Sequence, residues 1–489
     1  MRIFLFTALL LVAAAAAGEM RSVDVVIIGS GMAGLSAAHR LQKDHPGTAV
    51  LVLEALDTVG GRTKTMPVGS DLVSVGGTWL FPADHNALGL AAELGCEPVR
   101  DPYFLSPHVA PIKAILHAPL VMELWAIGRR VALQPGGRWW LDKDAVRLDT
   151  LSVDAWAREH VLATRGMRDA LRQYFFALET MSTATLSTLQ ASVFLYHRFP
   201  FFNNTSTSAT LEDALSLPSF TFRRWNNGTG VFVDCLHAAI GADNVLVSQP
   251  ARHIEQSADG VVVTTTTGLS VKARYAIVAV NPTAAINTIS YAPLLPEGMQ
   301  SLAASTMATS YPCVGVVLTY AAPWWRALRT SGYILPDMTT LTSAENYFKT
   351  GVTGPVVELT PLEGDAVHGI LRILTWPARV AGMSEAEVQQ SACEYIASFY
   401  PASSRADAMN VLSFGKIDWS SRRPYLPGVT FNFNVGALTA FNTHDVDNLR
   451  TPHGRVHWAG TERATRGINW IEGAVSSGEA AAEAVGALL

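Results

Sequence analysis

A β-branched run, Val23-Asp24-Val25-Val26-Ile27-Ile28, breaks directly into Gly29-Ser30-Gly31-Met32-Ala33-Gly34, and the acid Glu54 follows twenty residues after the last glycine. A continuous apolar run of this kind reads as a strand buried on both faces of a parallel sheet. Gly29 lets the chain turn sharply, Gly31 lets the backbone approach a pyrophosphate, and Gly34 lets the following helix sit close to the strand. That helix, running to about Lys43, directs its N-terminal amides and dipole at the phosphate. After the Pro46-Gly47 turn a second strand, Ala49 to Glu54, delivers the acid to a ribose. A glycine-rich turn alone is common in ordinary loops. Here strand, turn, helix, strand and acid fall in the order a dinucleotide-binding α/β unit requires, although the unit by itself serves NAD and FAD equally.

At 489 residues the chain is long enough for two or three domains. A net charge of -5 and the absence of any dense Lys/Arg run argue against a nucleic-acid partner. Met1-Arg2, the apolar stretch Ile3 to Ala17 and the small residues Ala15-Ala16-Ala17-Gly18 have the pattern of a secretory signal (1–18), cleaved near Ala17 or Gly18. The competing reading is an uncleaved anchor, but the apolar run is short of the roughly twenty residues that span a bilayer. No other segment looks transmembrane, so a secreted or luminal destination without a stable membrane span is expected. Asn203-Asn204-Thr205, Asn204-Thr205-Ser206 and Asn227-Gly228-Thr229 are then glycosylation acceptors, though such tripeptides also arise by chance. Cys96, Cys235, Cys313 and Cys393 form no metal or redox spacing; they read as small core residues, with one disulfide possible and no metal site.

Strand, helix and strand from Ser22 to about Arg100 give way to an irregular, then helical stretch carrying Trp156, Leu162, Leu171, Phe175 and Leu178. Strand patterns return at Asn244 to Val247, Val261 to Thr267, Tyr275 to Val280 and Val314 to Tyr320, with a helix from Ser384 to Phe399. Arg455 to Leu489 is again strand, turn and helix. The expected architecture is a discontinuous α/β Rossmann-like nucleotide domain (22–100, 221–300 and 442–489) interrupted by an α+β substrate domain (101–220 and 301–441).

Three further constellations carry chemistry. In Glu54-Ala55-Leu56-Asp57-Thr58-Val59-Gly60-Gly61-Arg62-Thr63, a flexible backbone and a fixed guanidinium directly follow the ribose acid, where Arg62 neutralises pyrophosphate charge. In Val75-Gly76-Gly77-Thr78-Trp79 the paired glycines admit a flat ring and Trp79 walls it; simple turn packing is the equal alternative. In Val456-His457-Trp458-Ala459-Gly460-Thr461-Glu462, followed by Asn469-Trp470-Ile471-Glu472-Gly473, a strand ends, the backbone loops, and a small-residue helix starts near Trp470 with its positive end toward a ring.

These four motifs, in this order, resemble the flavin-dependent amine oxidases, the family that contains monoamine and polyamine oxidases. The resemblance covers nearly the whole chain, including Gln249-Pro250-Ala251-Arg252-His253-Ile254, Ala276 to Pro282 and Ala322-Pro323-Trp324-Trp325. It implies FAD held at the positions already named, with Ala251 toward the adenine and Glu462 toward the ribityl chain. It also implies oxidation of a small-molecule amine by hydride transfer to flavin N5, imine hydrolysis, and reoxidation by O2 to H2O2.

The chain also departs from the family. Trp470 falls on one member of the aromatic pair that sandwiches the amine, whereas the segment that usually supplies the other, Trp419 to Gly428, is short here. Tyr425 is the candidate replacement or merely a loop aromatic packed on prolines. That segment carries no Cys, so non-covalent FAD is expected. Many members carry a Lys about ten residues before the second Trp of the Pro-Trp-Trp segment, where it assists reaction with oxygen; this chain has Gly315 there and no Lys from Ser301 to Trp325. The resemblance therefore leaves open a dehydrogenase with another acceptor and a catalytically weak flavin-binding protein. Amino-acid oxidases commonly carry an Arg just past the Gly-Gly pair, but Thr78-Trp79-Leu80-Phe81-Pro82 has none, which leans toward an amine without a carboxylate. An L-amino-acid oxidase stays open, since Arg198, Arg223, Arg224, Arg422 or Arg423 are other sources of the charge, each read first as a solvated surface residue. His85, Glu179 and His197 are polar candidates without an assigned role.

Overall fold

The computed structural model describes residues 20–101, 119–134, 138–160, 164–179, 182–198, 222–304, 308–310, 313–334, 350–362, 367–422, 424–426, 428–441 and 450–489. The leader, the acceptors at Asn203 and Asn204, and Arg423 lie outside the described residues.

The chain begins with β1 (Met20–Ser22), β2 (Val25–Ile28), helix α1 (Met32–Asp44) and β3 (Val50–Leu53). It continues through α2 (His85–Glu93) and three helices of the inserted region, α3 (Pro119–Ala132), α4 (Arg165–Glu179) and α5 (Thr188–Arg198). Then come α6 (Gly230–Ile240), β4 (Val245–Leu246), β5 (Ala251–Ser257), β6 (Gly260–Thr265), β7 (Ser270–Ala273), β8 (Tyr275–Val278) and β9 (Ser290–Ala292). The last elements are β10 (Val314–Tyr320), β11 (Val356–Glu358), β12 (Gly369–Thr375), α7 (Glu385–Ala397), β13 (Ser413–Asp418), β14 (Val456–Trp458) and α8 (Ile471–Gly486).

β14, β8, β2, β3 and β4 form one parallel sheet in that order. Its central strands alternate between two cores, so neither face tolerates a polar side chain. Val25, Ile27, Val50, Val52 and Ile277 pack with α1, α6 and α8, while Val26, Ile28, Leu51, Leu53 and Val278 pack against the second sheet, built from β1, β7, β6, β5 and β9. Each such Val or Ile contributes about 1.5–3 kcal/mol by leaving water. The β-branched run that opens the chain is thus explained by two-sided burial.

The inserted region supplies a four-stranded antiparallel sheet, order β11, β12, β10, β13. Val316, Leu318, Leu371 and Ile373 point to the core under α7, whose N-terminus carries a complete Ser384/Glu387 capping box. The opposite face of this sheet looks toward the nucleotide domain. The α/β fold with an α+β insertion is the architecture the sequence predicts.

Local expectations needed correction. The strand expected at Asn244 to Val247 is a 3-10 turn (Ala242–Asn244) with a two-residue strand, and the one expected to reach Thr267 ends at Thr265, where the hairpin turns on Gly268. The four cysteines are free thiols; Cys313 and Cys393 are buried in different cores and cannot pair with each other, whereas Cys96 and Cys235 lie side by side within hydrogen-bonding reach.

Candidate active site

A cavity opens along the carboxyl ends of β2, β3 and β8, where Ile28, Leu53 and Ala279 line it. This is the place where parallel α/β sheets bind ligands. Gly29 adopts φ +102°, and a Cβ on Gly34 would lie 1.9 Å from the Gly29 carbonyl oxygen, so turn and close packing both demand glycine. Gly31 differs: a Cβ there would meet nothing within 4 Å because the residue borders the cavity. Gly31 is also the N-cap of α1 and offers no side-chain cap, and the first turn holds no acid, which leaves a positive helix end for an anion.

Glu54 is 7% exposed, and its carboxylate is fixed from behind. One oxygen accepts hydrogen bonds from the Ser30 backbone N–H and hydroxyl at 2.8 and 2.7 Å, the other from the Leu56 N–H at 2.8 Å. Ser30 thus sits behind the acid and does not line the cavity, whereas Gly29, Gly31, Ala33, Glu54 and Ala55 do. Ala251, the first residue of β5, lines the same end.

Gly61, Arg62, Gly77, Thr78 and Trp79 line its middle. Arg62 is not a lone pyrophosphate cation: it pairs with the fully buried carboxylate of Glu462 at 2.6 Å. Asn281 donates to the same Glu462 oxygen at 3.3 Å, while Oε2, beside the cavity-lining Gly460, has no partner among the described residues. An unsatisfied buried acceptor next to a glycine wall suits a ligand hydroxyl.

At the far end Gly460, Thr461, Trp470 and Ile471 line the cavity. The Thr461 hydroxyl lies 3.2 and 3.0 Å from the carbonyl oxygens of Gly467 and Trp470 and ties the loop to α8. Asn469, at φ +69°, turns the chain so that Trp470 becomes the N-cap of α8, edge-on to Phe81 at 5.2 Å. Tyr425, left open by the sequence, lines the cavity as well.

Several expected residues lie elsewhere. His85 is exposed at the start of α2, and His197 does not line the cavity; burial, with Arg466 and Arg450 nearby, pushes its pKa down to about 4. Glu179 and Arg198 are the last residues of α4 and α5, and their side chains, like that of Arg422, lie outside the described residues. Arg223 is exposed. Arg224, read as a solvated charge, is instead 2% exposed and ion-paired to Asp101 at 2.8 Å, because Asp101 and Tyr333 arrive from distant segments to meet it. Among the cavity-lining residues that sequence reasoning missed are Cys313, whose thiol burial pushes up to about 12, and Arg372 on β12. The available signal was an Arg inside the otherwise apolar strand Gly369-Ile370-Leu371-Arg372-Ile373-Leu374-Thr375.

A dinucleotide sheet whose cleft continues past paired glycines to an aromatic-walled chamber under a second sheet defines a two-domain nucleotide-cofactor enzyme class. The comparisons agree. Residues 32–486 match the family of flavin-containing amine oxidoreductases. The chain is 27% identical to an L-amino acid dehydrogenase of Synechocystis sp., covering 96% of each chain, and 26% identical to flavin-containing amine oxidase B of Homo sapiens, covering 94% of this chain and 86% of that one. It superposes on a solved putrescine oxidase mutant with a TM-score of 0.76 at 22% identity, covering 96% and 100% of the two chains. The chain belongs to the flavin-containing amine oxidoreductase family.

The residues fit the flavin cofactor that the family implies. The open face at Gly31, the uncapped end of α1 and the orphaned Glu462 oxygen occur along one cleft of the right topology.

Proposed function

We propose that this protein binds FAD non-covalently and oxidises a small amine at its C–N bond, with O2 as acceptor and H2O2 as product. The observation that carries the reading is the continuity of the cavity from Glu54 and Ala251 to Trp470 and Tyr425. When bound, FAD supplies the hydride acceptor and the reaction with O2. The protein orients it: Glu54 receives the ribose, the end of α1 the pyrophosphate, and Glu462 a ribityl hydroxyl. Trp470 and Tyr425 present flat apolar walls that hold an uncharged amine and exclude water. Non-covalent attachment is supported by the sequence from Trp419 to Gly428, which has no Cys, and by the high pKa of Cys313, which keeps it a thiol.

A second reading, a dehydrogenase acting on an amino acid, is favoured by two facts: no Lys lies from Ser301 to Trp325, and a relative over the whole chain is an L-amino acid dehydrogenase. Purified protein is expected to be yellow and to release flavin on acid treatment. Peroxide measured across monoamines, polyamines and L-amino acids separates the readings. A colourless protein that takes up no flavin on reconstitution would sink both, and anaerobic reduction by an amino acid without aerobic peroxide would select the second.

A further inference from the structure

The cavity holds a buried cation that has no counter-charge among the described residues. Arg372 is 3% exposed and lines the cavity. Its Nη1 donates to the carbonyl oxygens of Ser74 and Gly76 and to the Thr78 hydroxyl at 2.8, 3.2 and 3.2 Å. Its Nε makes no hydrogen bond, and no carboxylate pairs with the group among the described residues. Burial lowers its pKa to about 10, which leaves it protonated at neutral pH. An unpaired buried charge is costly, so three neutral oxygens are poor compensation unless negative charge arrives with a ligand or develops in the reaction.

The strand register says where this charge stands. Val317 on β10 faces Arg372, and Gly315 faces Leu374. Cross-strand partners share a face, and so do alternate residues along a strand. Gly315, Val317, Arg372 and Leu374 therefore occupy one face, and it is the cavity face, since Arg372, Leu374 and Cys313 line the cavity while Val316 and Ile373 are buried on the other side. The guanidinium carbon lies 5.8 Å from the centroid of Trp79, which with Gly76 and Gly77 lines the same cavity.

We propose that Arg372 is the fixed cation that promotes reoxidation of the bound flavin by O2, an inference that rests on the oxidase reading above. In that step the reduced flavin gives up two electrons and one proton, O2 takes them with a second proton from water, and H2O2 leaves. Negative charge builds on O2 before the protons arrive. A cation already held in a dry site by Ser74, Gly76 and Thr78 stabilises that charge without reorganising. The same charge favours the anionic reduced ring and so raises the reduction potential of the cofactor.

The test compares flavin-loaded wild type with Arg372→Met and Arg372→Lys. Each is photoreduced without any amine and mixed with O2, and the reduction potential is titrated separately. Arg372→Met is expected to slow reoxidation about a hundredfold, the size of effect one preorganised donor has, and to move the potential negative; Arg372→Lys is expected to recover most of both. Should the Met variant fail to hold flavin, Arg372→Gln, which keeps a donor for the three oxygens without the charge, takes its place. A flavin-replete neutral variant with unchanged rate and potential would overturn the proposal and leave Arg372 a brace for 74–78. The proposal falls equally if only the KM for carboxylate-bearing amines rises, because the charge then reads substrate. A wild type that is reduced by amines yet reoxidises slowly defeats the oxidase reading, and in that case the potential alone still reports whether Arg372 acts on the ring.

Discussion

Arg62 and Glu462, from opposite ends of the chain, form a 2.6 Å ion pair that joins the second of the four motifs to the last. The pair is unequal: the Glu462 side chain is fully buried, whereas that of Arg62 is 23% exposed. Removing Arg62 strands a carboxylate away from water, while removing the Glu462 charge leaves a guanidinium that still reaches solvent. Arg62→Met is expected to cost about 3 kcal/mol and Glu462→Gln about 1 kcal/mol. Chemical denaturation of the flavin-free protein checks this, and equal losses would contradict the asymmetry.

The Asp101 carboxylate accepts hydrogen bonds from Arg224 and Tyr333, both at 2.8 Å, with all three side chains buried. Asp101→Asn leaves the Arg224 charge uncompensated and is expected to destabilise by about 3 kcal/mol or more. Tyr333→Phe removes one neutral donor and is expected to cost about 1 kcal/mol. Because they share one partner, the double variant is expected to lose less than the sum, which a thermodynamic cycle measures.

Trp470→Ala is expected to lower kcat/KM for the best amine by about tenfold to a hundredfold while flavin content stays near that of wild type. Trp470→Phe keeps a flat wall and most of the activity. Tyr425→Phe is expected to be near wild type and Tyr425→Ala impaired, since the ring and not the hydroxyl supplies the wall. Loss of flavin in parallel with activity in Trp470→Ala would show that the residue holds the cofactor rather than the substrate.

His197 has a folded pKa near 4, below its unfolded value of about 6.5. Between these values the unfolded chain binds the proton more readily, so the contribution to stability is complete above pH 6.5 and is lost as pH falls toward 4. His197→Gln is expected to flatten the fall in Tm across this window relative to wild type. An unchanged slope would place the acid sensitivity elsewhere.

Gly315 and Arg372 share the cavity face of neighbouring strands. Gly315→Lys in the Arg372→Met background therefore returns a cation to that face and is expected to regain at least about a tenth of the wild-type reoxidation rate. A Cβ at 315 would lie 3.0 Å from Ile417 Cγ2, so a small shift of that side chain is required. A double variant that folds, binds flavin and remains as slow as Arg372→Met would show that the place of the charge, not its presence, matters.

The dinucleotide unit was legible because its logic is local. Strand, turn and helix lie within a few dozen residues, and Gly29, Gly34 and Glu54 each answer to a steric or hydrogen-bonding demand set by near neighbours. The substrate side was less legible. Arg224 looked like a surface charge because its partner Asp101 lies far away in the chain. Arg372 stood in an apolar strand whose register with β10 no local pattern reveals.

The sequence by itself determined the nucleotide-binding fold, the flavin family and many of the residues that line the cavity, since periodicity, glycine sterics and motif order act over short spans. Only the tertiary structure decided that Arg62 answers to Glu462, that Tyr425 and Trp470 line one cavity, and that Arg372 lines it with no carboxylate partner among the described residues. Those relationships depend on how separate segments are brought together, and burial and charge compensation exist only once they have met.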